Sequence, residues 1–167
     1  MSPEDYLGAV LDALGYRQDA EGRESAARFL EVLREFAPGQ PVPAMETFAA
    51  HGTDVVVLRG LPFHSLCAHH LLPFFGVADI AYRPEGRIAG LGAFPRALRA
   101  FSRQPQLQER LGAQLAEHLH GALGGPVGVR LRARQMCMEM RGAESPGEVE
   151  TVCWRGAVDA ELRGSLS

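Results

Sequence analysis

The sequence predicts an α+β fold: an antiparallel four-stranded sheet with two helices on one face, preceded by a short N-terminal helical arm. Three observations carry this. Val127, Val129, Leu131 and Ala133 alternate with Gly128, Arg130 and Arg132, the period-two pattern of a half-buried strand. Two apolar runs, Asp54 to Leu58 and Phe74 to Tyr82, have the length and composition of buried strands. Leu107, Leu111, Leu115, Leu119 and Leu123 recur every fourth residue, the stripe of an amphipathic helix over Gln106 to Leu123.

In chain order, Glu4 to Leu14 carries Tyr6, Val10, Leu11 and Leu14 at helical spacing and stops at Gly15, a suitable C-cap. A second helix is expected over 23–36, with Ala27, Leu30, Val32 and Leu33 as inner positions, ending before Pro38-Gly39. Gln40 to Thr53 is punctuated by proline and reads as irregular. The boundary between arm and domain is therefore expected at residue 50, with residues 51–167 forming the domain. The first strand, Asp54 to Leu58, and the second, Phe74 to Tyr82, leave the segment rich in Cys and His as their connection. Arg83-Pro84-Glu85-Gly86 is a turn of the kind that joins antiparallel strands. Phe94 to Phe101 reads as a helix, Gly124-Gly125-Pro126 ends the long one, and Val149 to Trp154 reads as the last strand. The absence of repeats and low-complexity stretches adds nothing further.

Bulk properties exclude several function classes. With 167 residues, 46% of them hydrophobic, the chain suits one soluble globular domain. A formal charge of −3 offers neither a basic footprint for nucleic acid nor a polybasic anchor for a membrane. The sequence shows no run of about 20 apolar residues and no signal-peptide pattern, so a cytoplasmic protein is expected. Three cysteines are poor material for a disulfide framework in such a compartment, which shifts weight to metal or catalytic use. Cys153, beside Trp154, is expected as a small buried hydrophobe. All 17 basic residues are arginine, so lysine Schiff-base chemistry is excluded and any phosphate must be met by guanidinium forks or backbone amides.

Cys67-Ala68-His69-His70 and the distant Cys137 supply the residue types of a catalytic zinc site. Cys67 and His70, three apart, share a face if the segment makes one helical turn. Ligand types alone leave a zinc site and a pair of buried thiols with surface histidines equally open. Glu109, likewise, could read a ligand or simply face solvent near the start of a helix, where carboxylates are favoured. His51, His64, His118 and His120 attract no role, and the two on the long helix are expected to be exposed.

Phe63-His64-Ser65-Leu66-Cys67-Ala68-His69-His70-Leu71-Leu72-Pro73-Phe74-Phe75-Gly76 resembles the signature of GTP cyclohydrolase I, F-x-S-x-C-E-H-H-L-L-P-F-x-G. Gly90-Leu91 with Arg96, then Arg103-Gln104-Pro105-Gln106-Leu107-Gln108-Glu109-Arg110-Leu111, resembles the next family segment, and Met136-Cys137-Met138 through Arg141-Gly142 the third. The resemblance implies a T-fold assembled into homo-oligomeric rings, a decamer or similar, with sites at subunit interfaces. It implies zinc held by Cys67, His70 and Cys137, with a fourth position for a water of lowered pKa that attacks C8 of guanine. His69 would protonate N7 as the imidazole ring opens. Gln108 and Glu109 would read guanine, one carboxylate accepting from both N1–H and the exocyclic amine. Arg96 and Arg141 would grip the triphosphate.

Four positions depart from the family pattern. Ala68 replaces a Glu, Gly92 and Ala93 replace Ser and Lys, and Gln135 stands where the family has a second catalytic His. Losing a lysine and a hydroxyl removes a charge and a hydrogen bond from the phosphate and ribose region, which makes a less phosphorylated guanine nucleotide a candidate substrate. Gln135 can hold an oxygen but cannot deliver a proton. Three readings follow: a complete cyclohydrolase giving dihydroneopterin triphosphate and formate from GTP; an enzyme that stops at a formamidopyrimidine or diaminopyrimidine nucleotide; and a non-catalytic purine- or pterin-binding regulatory ring. Retention of the three ligands and His69 argues against the last, because a binding module has no use for an open metal position.

Overall fold

The computed structural model describes residues 1–16 and 20–167, which divide into two units, Met1–Ala37 and Pro38–Ser167.

The first unit holds α1 (Pro3–Ala13) and α2 (Ala20–Glu35). Ser2 caps α1: its hydroxyl accepts from the Asp5 amide at 3.1 Å, while the Asp5 carboxylate accepts from the Ser2 amide at 2.7 Å. This reciprocal pair satisfies two otherwise orphaned donors. Gly15, with φ +82°, follows the helix in the left-handed region that glycine tolerates best. An ion pair of 2.7 Å joins Arg34 of α2 to Glu4 of α1. The expected apolar stripe of α1 stays open, with Tyr6, Val10 and Leu14 all exposed. Val32, expected inward on α2, is exposed as well.

The second unit is built on four long antiparallel strands: β2 (Val56–Cys67), β3 (Pro73–Tyr82), β6 (Val127–Gln135) and β7 (Glu148–Arg155), in that spatial order. A two-residue strand, β5 (Pro105–Gln106), lies parallel on the outer edge of β2. Helices α3 (Ala93–Ser102) and α4 (Gln108–Leu123) complete the core. The predicted leucine stripe is real: Leu111, Leu115, Leu119 and Leu123 are completely buried, against Val127, Val129 and Leu131 of β6. Each such side chain contributes about 1.5–3 kcal/mol by leaving water. The opposite face of the sheet carries a smaller cluster in which Leu162 of α6 (Ala160–Gly164) and Leu166 pack with Ala81, Val57 and Trp154.

β2 runs much further than Asp54 to Leu58. Arg59-Gly60 looks like an end in sequence but forms a bulge, a register shift between Leu58 and Leu61. Gly60 takes φ +69° there and gives its amide to Asp79 at 2.7 Å. Within Gln40 to Thr53, β1 (Thr47–Ala49) pairs with β4 (Arg87–Ala89), two three-residue strands too short to leave a periodic signal. Hence the turn Arg83-Pro84-Glu85-Gly86 leads into a strand that pairs with β1 and not with β3. Cys153 is only partly buried, packed on the edge of the core. His118 and His120 are half-buried, not exposed. His118 lies edge-on to Phe101 at 5.5 Å, and burial lowers its basicity.

Candidate functional site

Cys67 is the last residue of β2, and the chain reverses immediately after it. Its carbonyl accepts from the amides of His70 (3.3 Å) and Leu71 (2.8 Å), and its amide donates to Leu72 (2.8 Å). Leu71 adopts φ +54°, a conformation that costs a branched residue roughly 1–2 kcal/mol and that the surrounding bonds hold in place. The result is the single helical turn that places His70 over Cys67: Cys67 Sγ and His70 Nδ1 lie 3.8 Å apart. Ala68, where the family carries Glu, is exposed on this turn. From outside, the buried Gln106 on β5 fixes the turn, its carbonyl accepting from the Ala68 amide at 2.9 Å.

Cys137 arrives from the other side. Phe74, near the start of β3, is paired with Gln135, the end of β6, so the short helix α5 (Met136–Glu139) sits beside the Cys67 turn. Ligand atoms of Cys67, His70 and Cys137 all lie within 4.8 Å of one another. Tetrahedral zinc with Zn–S of about 2.3 Å and Zn–N of about 2.0 Å sets its donors roughly 3.5–3.8 Å apart. The donor set, two thiols and an imidazole, suits zinc, and the donors need only draw closer to reach that spacing. Burial pushes the Cys137 thiol up, and the Cys67 thiol beside it adds to the effect. The charge of Arg141 opposes this.

Two side chains that sequence reasoning did not single out brace α5. Arg134 and Glu139 form a two-pronged ion pair across the Cys137 segment, with Nε of Arg134 donating at 2.9 Å and Nη2 to the second oxygen. Opposite charges five residues apart around a ligand were the only available signal.

Beside the three ligands is a cavity of about 330 Å³, lined among others by His69, Gln108, Glu109 and Gln135. His69 and Glu109 are exposed at this site. Gln108 is 3% exposed and its amide is fully engaged. Its nitrogen donates to the carbonyls of Val149 (2.8 Å) and Leu131 (3.1 Å), and its oxygen accepts from Gln135 at 2.7 Å. Arg96, in the first turn of α3 with its guanidinium over Gly92, and Arg141, just past α5, are exposed and do not line this cavity. A larger open groove of about 650 Å³, lined by Phe101, Glu117, His118 and Arg155, contains none of the metal-ligating set.

The sequence pattern of GTP cyclohydrolase I matches residues 4–166. The chain belongs to the GTP cyclohydrolase I family. It is 38% identical over 160 residues to a GTP cyclohydrolase 1 of Hyperthermus butylicus, covering 95% of this chain and 83% of that one. Identity to a GTP cyclohydrolase 1 of Streptococcus agalactiae is 43% over 152 residues, 86% of this chain and 81% of the relative. Among solved structures, the apo crystal structure of the archaeosine synthase QueF-Like superposes with a TM-score of 0.52 at 21% identity, covering 65% of this chain and 99% of that one. The architecture is a T-fold, as the motifs implied. Among the described residues, no helix is long and apolar enough to cross a membrane.

Proposed function

We propose that this chain is a zinc-dependent hydrolase that opens the imidazole ring of GTP at C8, releases formate and carries the product on to dihydroneopterin triphosphate. The observation that carries the reading is that Cys67 and Cys137, which form one donor cluster with His70, line the same cavity as His69 and Glu109. The family match favours the complete reaction over an early-stopping enzyme, and the retained residues weigh against a regulatory ring.

Cys67, His70 and Cys137 would hold the zinc, which would supply a water activated for attack at neutral pH. Glu109, in the first turn of α4, accepts from N1–H and the exocyclic amine of guanine and so orients the ring. Adenine offers no such pair of donors. His69, exposed and lining the cavity, protonates N7 as the C8–N bond breaks. Arg96 and Arg141 grip the triphosphate by paired guanidinium bonds. Arg96 lies outside the single-chain cavity, which supports a homo-oligomeric ring in which a second copy helps complete the site. A cytoplasmic location fits the substrate.

The test is incubation of zinc-loaded protein with GTP, GMP and guanosine, followed by oxidation and detection of product by fluorescence and mass. A fluorescent pterin and one formate per GTP are expected. Unchanged GTP would overturn the reading.

A further inference from the structure

Gln108 was expected to face the ligand, but its side chain is turned into the fold. Its nitrogen lies 2.8 Å from the Val149 carbonyl, 3.1 Å from that of Leu131 and 3.4 Å from the Thr151 hydroxyl. Backbone carbonyls can only accept, so chemistry alone dictates which end of this amide is NH2 and which is oxygen. Both N–H bonds are committed to β6 and β7, and the Gln108 oxygen is left 2.7 Å from the side-chain nitrogen of Gln135.

The same logic passes to Gln135. An amide oxygen cannot donate, so Gln135 must turn its NH2 towards Gln108. Its free end is then its carbonyl oxygen, and no other side-chain hydrogen bond to Gln135 exists among the described residues. Gln135 lines the cavity with Cys67, His69, Glu109 and Cys137. Burial of Gln108 makes this strict: reversing either amide would set oxygen against oxygen and leave buried polar groups unpaired.

We infer that Gln108 is a positioning residue that locks the Gln135 amide in one orientation, so that its carbonyl oxygen meets a hydroxyl or N–H donor of the bound guanine nucleotide. This rests on the reading of the site as a guanine-nucleotide hydrolase. It gives the two glutamines separate tasks. Gln108 acts from within the fold and does not touch the ligand with its side chain, which leaves Glu109 to read the base. Gln135 holds a donor in place and transfers no proton, which leaves proton delivery to His69.

The test has two arms on the full-length, zinc-loaded protein. In the first, without nucleotide, side-chain amide exchange is followed by NMR on nitrogen-15-labelled protein, the Gln135 signals being identified by their loss in Gln135→Met. The Gln135 N–H facing Gln108 should exchange at least about tenfold more slowly than that of the exposed Gln40, and the protection should vanish in Gln108→Met. Exchange of Gln135 at the rate of Gln40 would overturn the inference.

In the second arm, Gln135→Met, Gln108→Met and the double variant are assayed with GTP. Each single change should lower kcat about tenfold, with KM changed less, and the double should be no worse than either single because the pair acts as one unit. Additive losses of about a hundredfold would overturn the inference. Should Gln108→Met fail to fold, Gln135→Glu carries the arm: a carboxylate of the same shape cannot donate to the Gln108 oxygen, so wild-type kcat in that variant would also overturn it. If wild-type protein leaves GTP untouched while the exchange pattern holds, the functional reading fails and the orientation stands.

Discussion

Cys67 Sγ and His70 Nδ1 lie 3.8 Å apart across one helical turn, close to the roughly 3.5 Å that sulfur and nitrogen donors of a tetrahedral zinc ion adopt. Cys137 closes the set from a different strand end. The proposed zinc site draws one donor from each of these three residues, and the third cysteine, on β7, is not among them. Cys67→Ala and Cys137→Ala should each reduce bound zinc from one per chain to near none and abolish turnover, while Cys153→Ala should retain the metal. Atomic absorption on the purified variants checks this.

The pair of Arg134 and Glu139 spans the segment that carries Cys137. Its Glu139 carboxylate is held below the usual range, first by the Arg134 hydrogen bonds. Groups that orient a ligand without touching the metal commonly change affinity 10- to 100-fold. Glu139→Gln should weaken zinc binding about tenfold in a chelator competition while leaving the fold intact. An unchanged affinity would mean that α5 holds its shape without this pair.

Among the described residues, Glu109 is the one carboxylate lining the cavity. Its replacement by Gln keeps the shape but presents one acceptor and one donor to two donors of guanine. A charge-assisted hydrogen bond contributes about 1.5–3 kcal/mol, so Glu109→Gln should lower kcat/KM for GTP roughly 10- to 100-fold at unchanged zinc content. Steady-state assays with quantified metal decide it.

The sequence made the scaffold legible because its signals are redundant. The leucine stripe of α4 and the alternation of β6 each repeat over several turns or residues, and both were found as expected. The three-residue spacing of Cys67 and His70 would put them on one face only if the segment made a helical turn, and the bonds to the Cys67 carbonyl supply that turn. The rest depended on single interactions that leave no period: the Gly60 bulge that lengthens β2, the β1–β4 pair, and the hydrogen bond from Gln135 to Gln108. A glutamine beside a glutamate reads as a ligand-facing pair until the carbonyls of Leu131 and Val149 are seen to claim it.

Gly76, in the signature segment, shows why the metal turn needs a tight sheet beneath it. A Cβ there would fall 1.9 Å from the Arg132 carbonyl oxygen and 2.7 Å from the Ala133 Cα, backbone atoms of the neighbouring strand that cannot rotate away. Gly76→Ala must push β3 and β6 apart, and those strands carry the Phe74–Gln135 pairing that sets Cys137 beside Cys67. The expected cost is about 1–3 kcal/mol, towards the upper end because the contacts are with backbone. A lowered urea midpoint together with loss of zinc should be seen; lost stability with full zinc retention would separate the sheet from the site.

Asp79 supplies the pH dependence of the fold. It is 2% exposed on the face away from α4, ion-paired with Arg130 at 2.7 Å and bonded to the Gly60 amide. Burial alone would raise its pKa, but the Arg130 hydrogen bonds, the Gly60 amide and the charges of Arg130 and Arg132 outweigh it and hold the carboxyl below the ordinary aspartate value. A native pKa lower than the unfolded one means that the unfolded chain binds the proton more readily. The contribution is thus complete above pH of about 4 and is lost as pH falls through the native pKa. Arg130 also donates to the Leu166 carbonyl, so the same centre anchors the C-terminal segment. Asp79→Asn leaves a buried guanidinium without its counter-charge, at a cost of about 3–5 kcal/mol near neutrality. Urea unfolding at pH 7 and pH 3 should show a large gap between wild type and variant at pH 7 that narrows at pH 3. A gap of equal size at both would place the loss in packing and not in charge.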